Sequence, residues 1–154
     1  MRKLNPEYVK AVVENVNSSP YFRLLSMKLW TIDVGESRLE VAVREKHLQP
    51  FGFVHGGVYA SLVDAAAFWA VYPQIDEELG LTTVEMKLNY LAPASKGLLI
   101  AKGKGIRQGK TLCLGEASIE SEQGNLLAHG TATMMILKDL KIQGASEWPS
   151  KFSG

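Results

Sequence analysis

Gly57-Val58-Tyr59-Ala60-Ser61-Leu62-Val63-Asp64-Ala65-Ala66-Ala67-Phe68-Trp69-Ala70-Val71-Tyr72 is apolar or small at almost every position. Ser61, Asp64 and the tyrosine hydroxyls alone break the run, and Pro73 stops it. A helix that is apolar all round belongs in the interior, wrapped by the rest of the chain. A carboxylate inside such a helix is costly unless it is paired or hydrogen-bonded. His55-Gly56-Gly57 stands at the start of the run, nine residues before the acid. A His-Gly-Gly opening a buried helix, with an acid two and a half turns on, marks a candidate active site.

The elements on either side supply the wrapping. Asn5-Pro6 reads as a helix start, with Asn as N-cap and Pro at the first helical position. Tyr8, Val9, Val12, Val13 and Val16 then share one stripe, which predicts a helix over 6–17. Two strand-like runs follow, about Leu24–Asp33 and Ser37–Arg44, joined near Val34-Gly35-Glu36. In the second, Leu39, Val41 and Val43 alternate with polar or small residues. Beyond Pro73 come four further strands, about Thr82–Leu91, Leu98–Gln108, Thr111–Glu120 and Leu126–Leu137. Gln108-Gly109 and Gln123-Gly124-Asn125 read as hairpin connections. The order predicts an α+β hotdog fold, an antiparallel sheet of five or six strands around one central helix. A single domain is expected over 1–137, with 138–154 as a loosely packed tail.

Bulk properties narrow the function. A chain of 154 residues suits one domain with a substantial core. A net charge of +1 gives no global attraction to nucleic acid or membrane, so any anion site must be local. The apolar run at 57–72 falls short of the roughly 20 residues that span a bilayer. The first 20 residues hold no signal-peptide-like apolar run. Cys113 is the only cysteine, so no internal disulfide forms, which suits a reducing compartment. The chain reads as a soluble, cytoplasmic protein. No Cys/His cluster suggests a metal, and no glycine-rich nucleotide loop appears. His129 and Cys113, each in a strand, read as structural.

Gln49-Pro50-Phe51-Gly52-Phe53-Val54-His55-Gly56-Gly57, followed by Ser61-Leu62-Val63-Asp64, resembles the hotdog-fold acyl-CoA thioesterases, the phenylacetate-pathway type above all. Thr83–Ala94 and Gly105–Thr111 are similar to later parts of the same family, and the likeness covers about residues 20–137. The resemblance implies that Asp64 is the catalytic carboxylate, as base or nucleophile. It implies that the Gly56 N–H is the oxyanion donor and that Gln49 faces the thioester. His55 becomes the motif histidine, and Thr83 orients the attacking water or the carboxylate. Tyr90 stands where some aryl-CoA relatives carry histidine. No cofactor is implied, since coenzyme A is part of the substrate.

The chemistry fits these residue types. The first N–H groups of a helix lack partners and carry roughly half a positive charge, and glycine lets a carbonyl approach them. Lys102, Lys104, Arg107 and Lys110 form a basic group. Arg107, Gly109 and Lys110 are the candidates for the phosphates of coenzyme A. Phe51, Tyr59, Phe68 and Tyr90 could line an acyl pocket or simply fill the core. Gly56 and Asp64 lie eight residues apart on one helix, or about 12 Å. That is too far to act on one carbonyl, so two antiparallel copies are expected: a homodimer, and plausibly a tetramer of two dimers. Blander readings stay open: Asp64 could serve a backbone amide, His55 a loop carbonyl, and the glycines a turn. A non-catalytic acyl-CoA-binding protein and an acyl-carrier-protein thioester dehydratase are the competing functions.

Overall fold

The computed structural model describes residues 2–154. Helices α1 (Pro6–Ser18) and α2 (Pro20–Leu25) lead into strands β1 (Met27–Asp33) and β2 (Glu36–Ala42). A loop with one 3-10 turn then reaches helix α3 (Gly56–Val71). Strands β3 (Gly80–Tyr90), β4 (Leu98–Gln108), β5 (Leu112–Ser121) and β6 (Leu126–Leu137) follow. All six strands form one antiparallel sheet in the order β1-β2-β4-β5-β6-β3. It curls around α3, which is the hotdog architecture expected.

The seat of α3 explains the composition of the strands beneath it. The Ser37 hydroxyl of β2 donates to the Ala66 carbonyl at 2.6 Å. A Cβ on Gly103 of β4 would sit 2.0 Å from that same carbonyl oxygen, so only glycine allows the approach. Leu62, Val63, Ala66, Ala67 and Ala70 are fully buried on the sheet side. Each large apolar side chain sealed there contributes about 1.5–3 kcal/mol. One stripe of the helix is not sealed by its own chain: Gly57 is exposed, and Ala60, Ser61, Asp64, Ala65 and Phe68 are half-buried.

Two differences from the sequence reading concern the ends of the chain. The strand expected from Leu24 begins at Met27, because Pro20–Leu25 form α2. Pro20 opens that helix, and Ser26 closes it in the left-handed region at φ 52°. The tail expected to pack loosely is instead tied to the body. Trp148 packs edge-on against Tyr8, and Leu4 pairs with Phe152. Lys151 is 1 % exposed, and its Nζ donates to the Tyr72 and Ile75 carbonyls at 2.7 and 2.6 Å. A cation at those carbonyls complements the negative end of α3.

Burial pulls the Lys151 ammonium down to about 8, against the attraction of Glu77 and Asp76. The unfolded value is 10.5. Between the two, the unfolded chain binds more protons than the folded one. This side chain therefore adds stability as pH rises above about 8 and loses it as pH falls through that value. The Tyr8 and Tyr72 hydroxyls, pushed up by burial, are common to wild type and a Lys151→Met variant. The stability difference between wild type and Lys151→Met should shift towards wild type by roughly 1–2 kcal/mol between about pH 7.5 and 9.5. Urea denaturation at the two pH values measures it, and an unchanged difference would contradict a desolvated ammonium.

Candidate active site

The His-Gly-Gly sequence has a local reason at each position. His55 is the N-cap of α3: its Nδ1 accepts the Gly57 N–H at 2.8 Å, which places the proton of the neutral ring on Nε2. A Cβ on Gly57 would lie 3.0 Å from that Nδ1, so glycine leaves room for the cap. A Cβ on Gly56 would lie 3.1 Å from the Tyr90 ring, whose hydroxyl donates to the Gly56 carbonyl at 3.2 Å. With Gly57 taken by the cap, the Gly56 N–H has no protein partner among the described residues.

Gln49 stands beside it. The loop folds back on itself: the Gln49 N–H donates to the Phe53 carbonyl at 2.7 Å, and the Gly52 N–H to the Gln49 carbonyl at 2.9 Å. Its side-chain oxygen accepts the Phe51 N–H, which leaves the amide NH2 free to donate outward. Gln49, Gly56, Tyr59 and Tyr90 line one cleft of ≈ 390 Å³ with Phe53 and Leu91.

Asp64 lies in a different cleft, of ≈ 370 Å³. The Thr83 hydroxyl donates to its Oδ1 at 2.7 Å. Thr83 reaches the helix because β3 carries a bulge at Val84, between Thr83 opposite Met134 and Glu85 opposite Thr133. The extra residue puts Thr83, Met86 and Leu88 on one face, where strict alternation would split Thr83 from Met86. Phe68 lines this cleft too, whereas Phe51 is 86 % exposed and lines neither. The expected residues thus gather in two places, Gln49 and Gly56 at one end of α3 and Asp64 and Thr83 near its middle.

The basic group divides as well. Gly109 does not offer its N–H to a ligand: it donates to the Leu112 carbonyl at 2.9 Å and closes the β4–β5 hairpin. A Cβ on it would meet that carbonyl at 2.4 Å, so its role is in the turn. Lys102 pairs with Glu120 at 2.8 Å. Arg107 and Lys110 are exposed and carry no ion pair among the described residues. His129 contacts Glu116 at 3.1 Å, and Cys113 is buried. Among the described residues no group of His, Cys, Asp and Glu could hold a metal ion. No described helix is long and apolar enough to cross a membrane.

His47 is a residue that sequence reasoning missed. It is 1 % exposed. Its Nδ1 accepts the Arg44 N–H at 2.9 Å and its Nε2 donates to the Leu25 carbonyl at 2.6 Å. Its own carbonyl accepts the His55 N–H at 2.8 Å. It therefore ties α2 to the residue that caps α3. No periodicity surrounds it, and only its place eight residues before His55 could have drawn notice.

The family model described as the thioesterase superfamily matches residues 51–128, half of the chain. The chain belongs to the thioesterase superfamily. The matched stretch runs from Phe51 through Gly56, Asp64 and Thr83 into β6, while Gln49 of one cleft and Tyr21, Phe22 and Met27 of the other lie before it. It is similar to 1,4-dihydroxy-2-naphthoyl-CoA hydrolase of Listeria monocytogenes, 29% identical over 76% of this chain and 95% of that one. It is also similar to acyl-coenzyme A thioesterase 13 of Mus musculus, 27% identical over 81% of this chain and 91% of that one. A thioesterase structure from Haemophilus influenzae superposes with a TM-score of 0.81 at 19% identity, covering 93% of this chain and 99% of the other, which supports the fold.

Loss of an N-cap costs about 1 kcal/mol. His55→Ala should lower the unfolding free energy by about that amount, and His55→Asn should recover most of it, since an amide oxygen can accept the Gly57 N–H. Chemical denaturation of the three proteins measures the role; equal loss in both variants would remove it.

Proposed function

We propose that this thioesterase-superfamily hydrolase cleaves acyl-CoA thioesters to a carboxylic acid and free coenzyme A, at two sites composed across a homodimer. The observation that carries the reading is the division of the polar groups along α3. A carboxylate held by Thr83 lies in one cleft, and an unpartnered helix-end N–H beside a free amide lies in another. Eight residues of helix, about 12 Å, separate them. An antiparallel pairing of two copies along the half-buried stripe brings Gly56 of one protomer to Asp64 of its partner.

In that arrangement the thioester carbonyl rests against the Gly56 N–H and the Gln49 amide. These donors stabilise the charge that develops on oxygen, an effect worth on the order of 3–4 kcal/mol. Thr83 occupies one carboxylate oxygen of Asp64, and the other takes a proton from water or attacks the carbonyl itself. Thiolate departure breaks the C–S bond, and hydrolysis delivers the acid. Arg107 and Lys110 are the proposed contacts for the phosphates of coenzyme A. A tetramer of two such dimers extends the same proposal. The similar Listeria and mouse proteins are named for CoA thioester hydrolysis, which supports this substrate class.

A thiol reagent following a panel of acyl-CoAs separates a catalyst from a non-catalytic binder. Asp64→Asn should lower kcat by roughly 10²-fold or more while the protein still folds, as expected for loss of a general base. Turnover near wild type in the pure variant would sink the assignment.

Mixing Gly56→Pro with Asp64→Asn subunits tests the composite site. Proline removes the N–H, and asparagine removes the base, so each parent has two dead sites. A mixed dimer has one intact site and one carrying both lesions. With about half the dimers mixed, about a quarter of wild-type activity should return. Activity at the parental floor, in mixed dimers of folded subunits, would exclude sites shared between chains.

A further inference from the structure

We propose that the Asp64 cleft selects uncharged hydrocarbon acyl groups because its hydroxyls have no proton left to offer, with Tyr21 and Ser61 as the specificity-determining pair. The proposal rests on the thioesterase reading above. It starts from α2, the helix that brings Tyr21 and Phe22 against α3 at the edge of this cleft.

Three hydroxyls line the cleft: Tyr21, Ser61 and Thr83. The Ser61 hydroxyl donates to the Gly57 carbonyl at 2.8 Å. The Tyr21 and Ser61 oxygens are 2.7 Å apart. A serine hydroxyl has one proton, and this one is committed to a carbonyl, so Tyr21 is the donor to Ser61. The Thr83 proton goes to Asp64 Oδ1. Every hydroxyl proton in the wall is therefore bound within the protein. Phe22, Met27, Phe68 and Met86 have none to give.

Among the described residues of this protomer, the Trp69 indole N–H is the one remaining side-chain donor of this wall with no acceptor in the protein. One neutral donor does not replace the water around a carboxylate, which has about four lone-pair sites. A carboxylate on the acyl chain would also face the charge of Asp64. An unpaired polar group carried into such a cleft loses the full hydration it had in water. A saturated hydrocarbon or an unsubstituted ring loses nothing of that kind and meets thioether and aromatic surface.

Hexanoyl-CoA and adipoyl-CoA differ only in a terminal carboxylate and test the proposal. Wild type should favour hexanoyl-CoA by about tenfold or more in kcat/KM. Ser61→Ala removes the acceptor of the Tyr21 proton and frees it for the acyl group, so the ratio should fall several-fold. Ser61→Ala/Tyr21→Phe removes the freed proton and should restore the ratio. A merely structural role for Ser61 would not make the second substitution restore selectivity. The same three proteins are compared by calorimetry with the S-hexyl and S-(5-carboxypentyl) thioethers of coenzyme A, which cannot be hydrolysed. Equal rates or equal Kd values in wild type, or a ratio unmoved by Ser61→Ala, would overturn the selection. No hydrolysis of either ester with the Kd preference intact would overturn the thioesterase reading and leave the selection standing.

Discussion

Contact between the middle of α3 and the floor of the sheet fixes everything else in this molecule. At Ala66 the helix backbone comes so near β4 that Gly103 has no space for a side chain, and the Ser37 hydroxyl takes up the Ala66 carbonyl. That contact sets both the depth and the rotation of the helix. Once Ala66 and Ala67 face the sheet, Asp64 must fall on the half-buried stripe, because the two faces of one helix cannot be chosen separately. Seating the helix is thus the same event as presenting the carboxylate. The seat is held at the ends as well, by the His55 cap at one terminus and the Lys151 ammonium at the other.

Much of this was legible in the residues. The apolar run at 57–72, broken only at a few polar groups, could only be a central helix, and the alternation of β2 with the hairpin glycines gave a meandering sheet. The bounds of β4 and β6 follow from their flanking turn residues. The His-Gly-Gly and Asp64 were legible because each breaks a local rule: a charge in an apolar helix and two glycines where a good helix former is expected.

What was not legible depended on contacts far along the chain. Helix α2 is only six residues long, and its Leu24-Leu25 reads equally well as the start of a strand. The bulge at Val84 leaves no mark in composition, yet it decides which way Thr83 points. Gly109 looked like a ligand-binding glycine because turn glycines and anion-binding glycines share a sequence signature; only its bond to Leu112 separates them. The tail appeared loose because its anchor is a lysine, a residue that is almost never fully buried without partners, and the partners are backbone carbonyls more than 70 positions away.

The rigid spacing of Gly56 and Asp64 along α3 has a consequence for how such a protein responds to its own abundance. In the composite arrangement each chain carries half of each of two sites, and no motion of one chain can unite them. The number of working sites then follows the square of the chain concentration when copies are scarce and becomes proportional to it only once pairing saturates. In that arrangement dilution would silence the chemistry by parting the pairs, and concentration would restore it. Amount, not conformation, then sets the threshold at which the activity switches on.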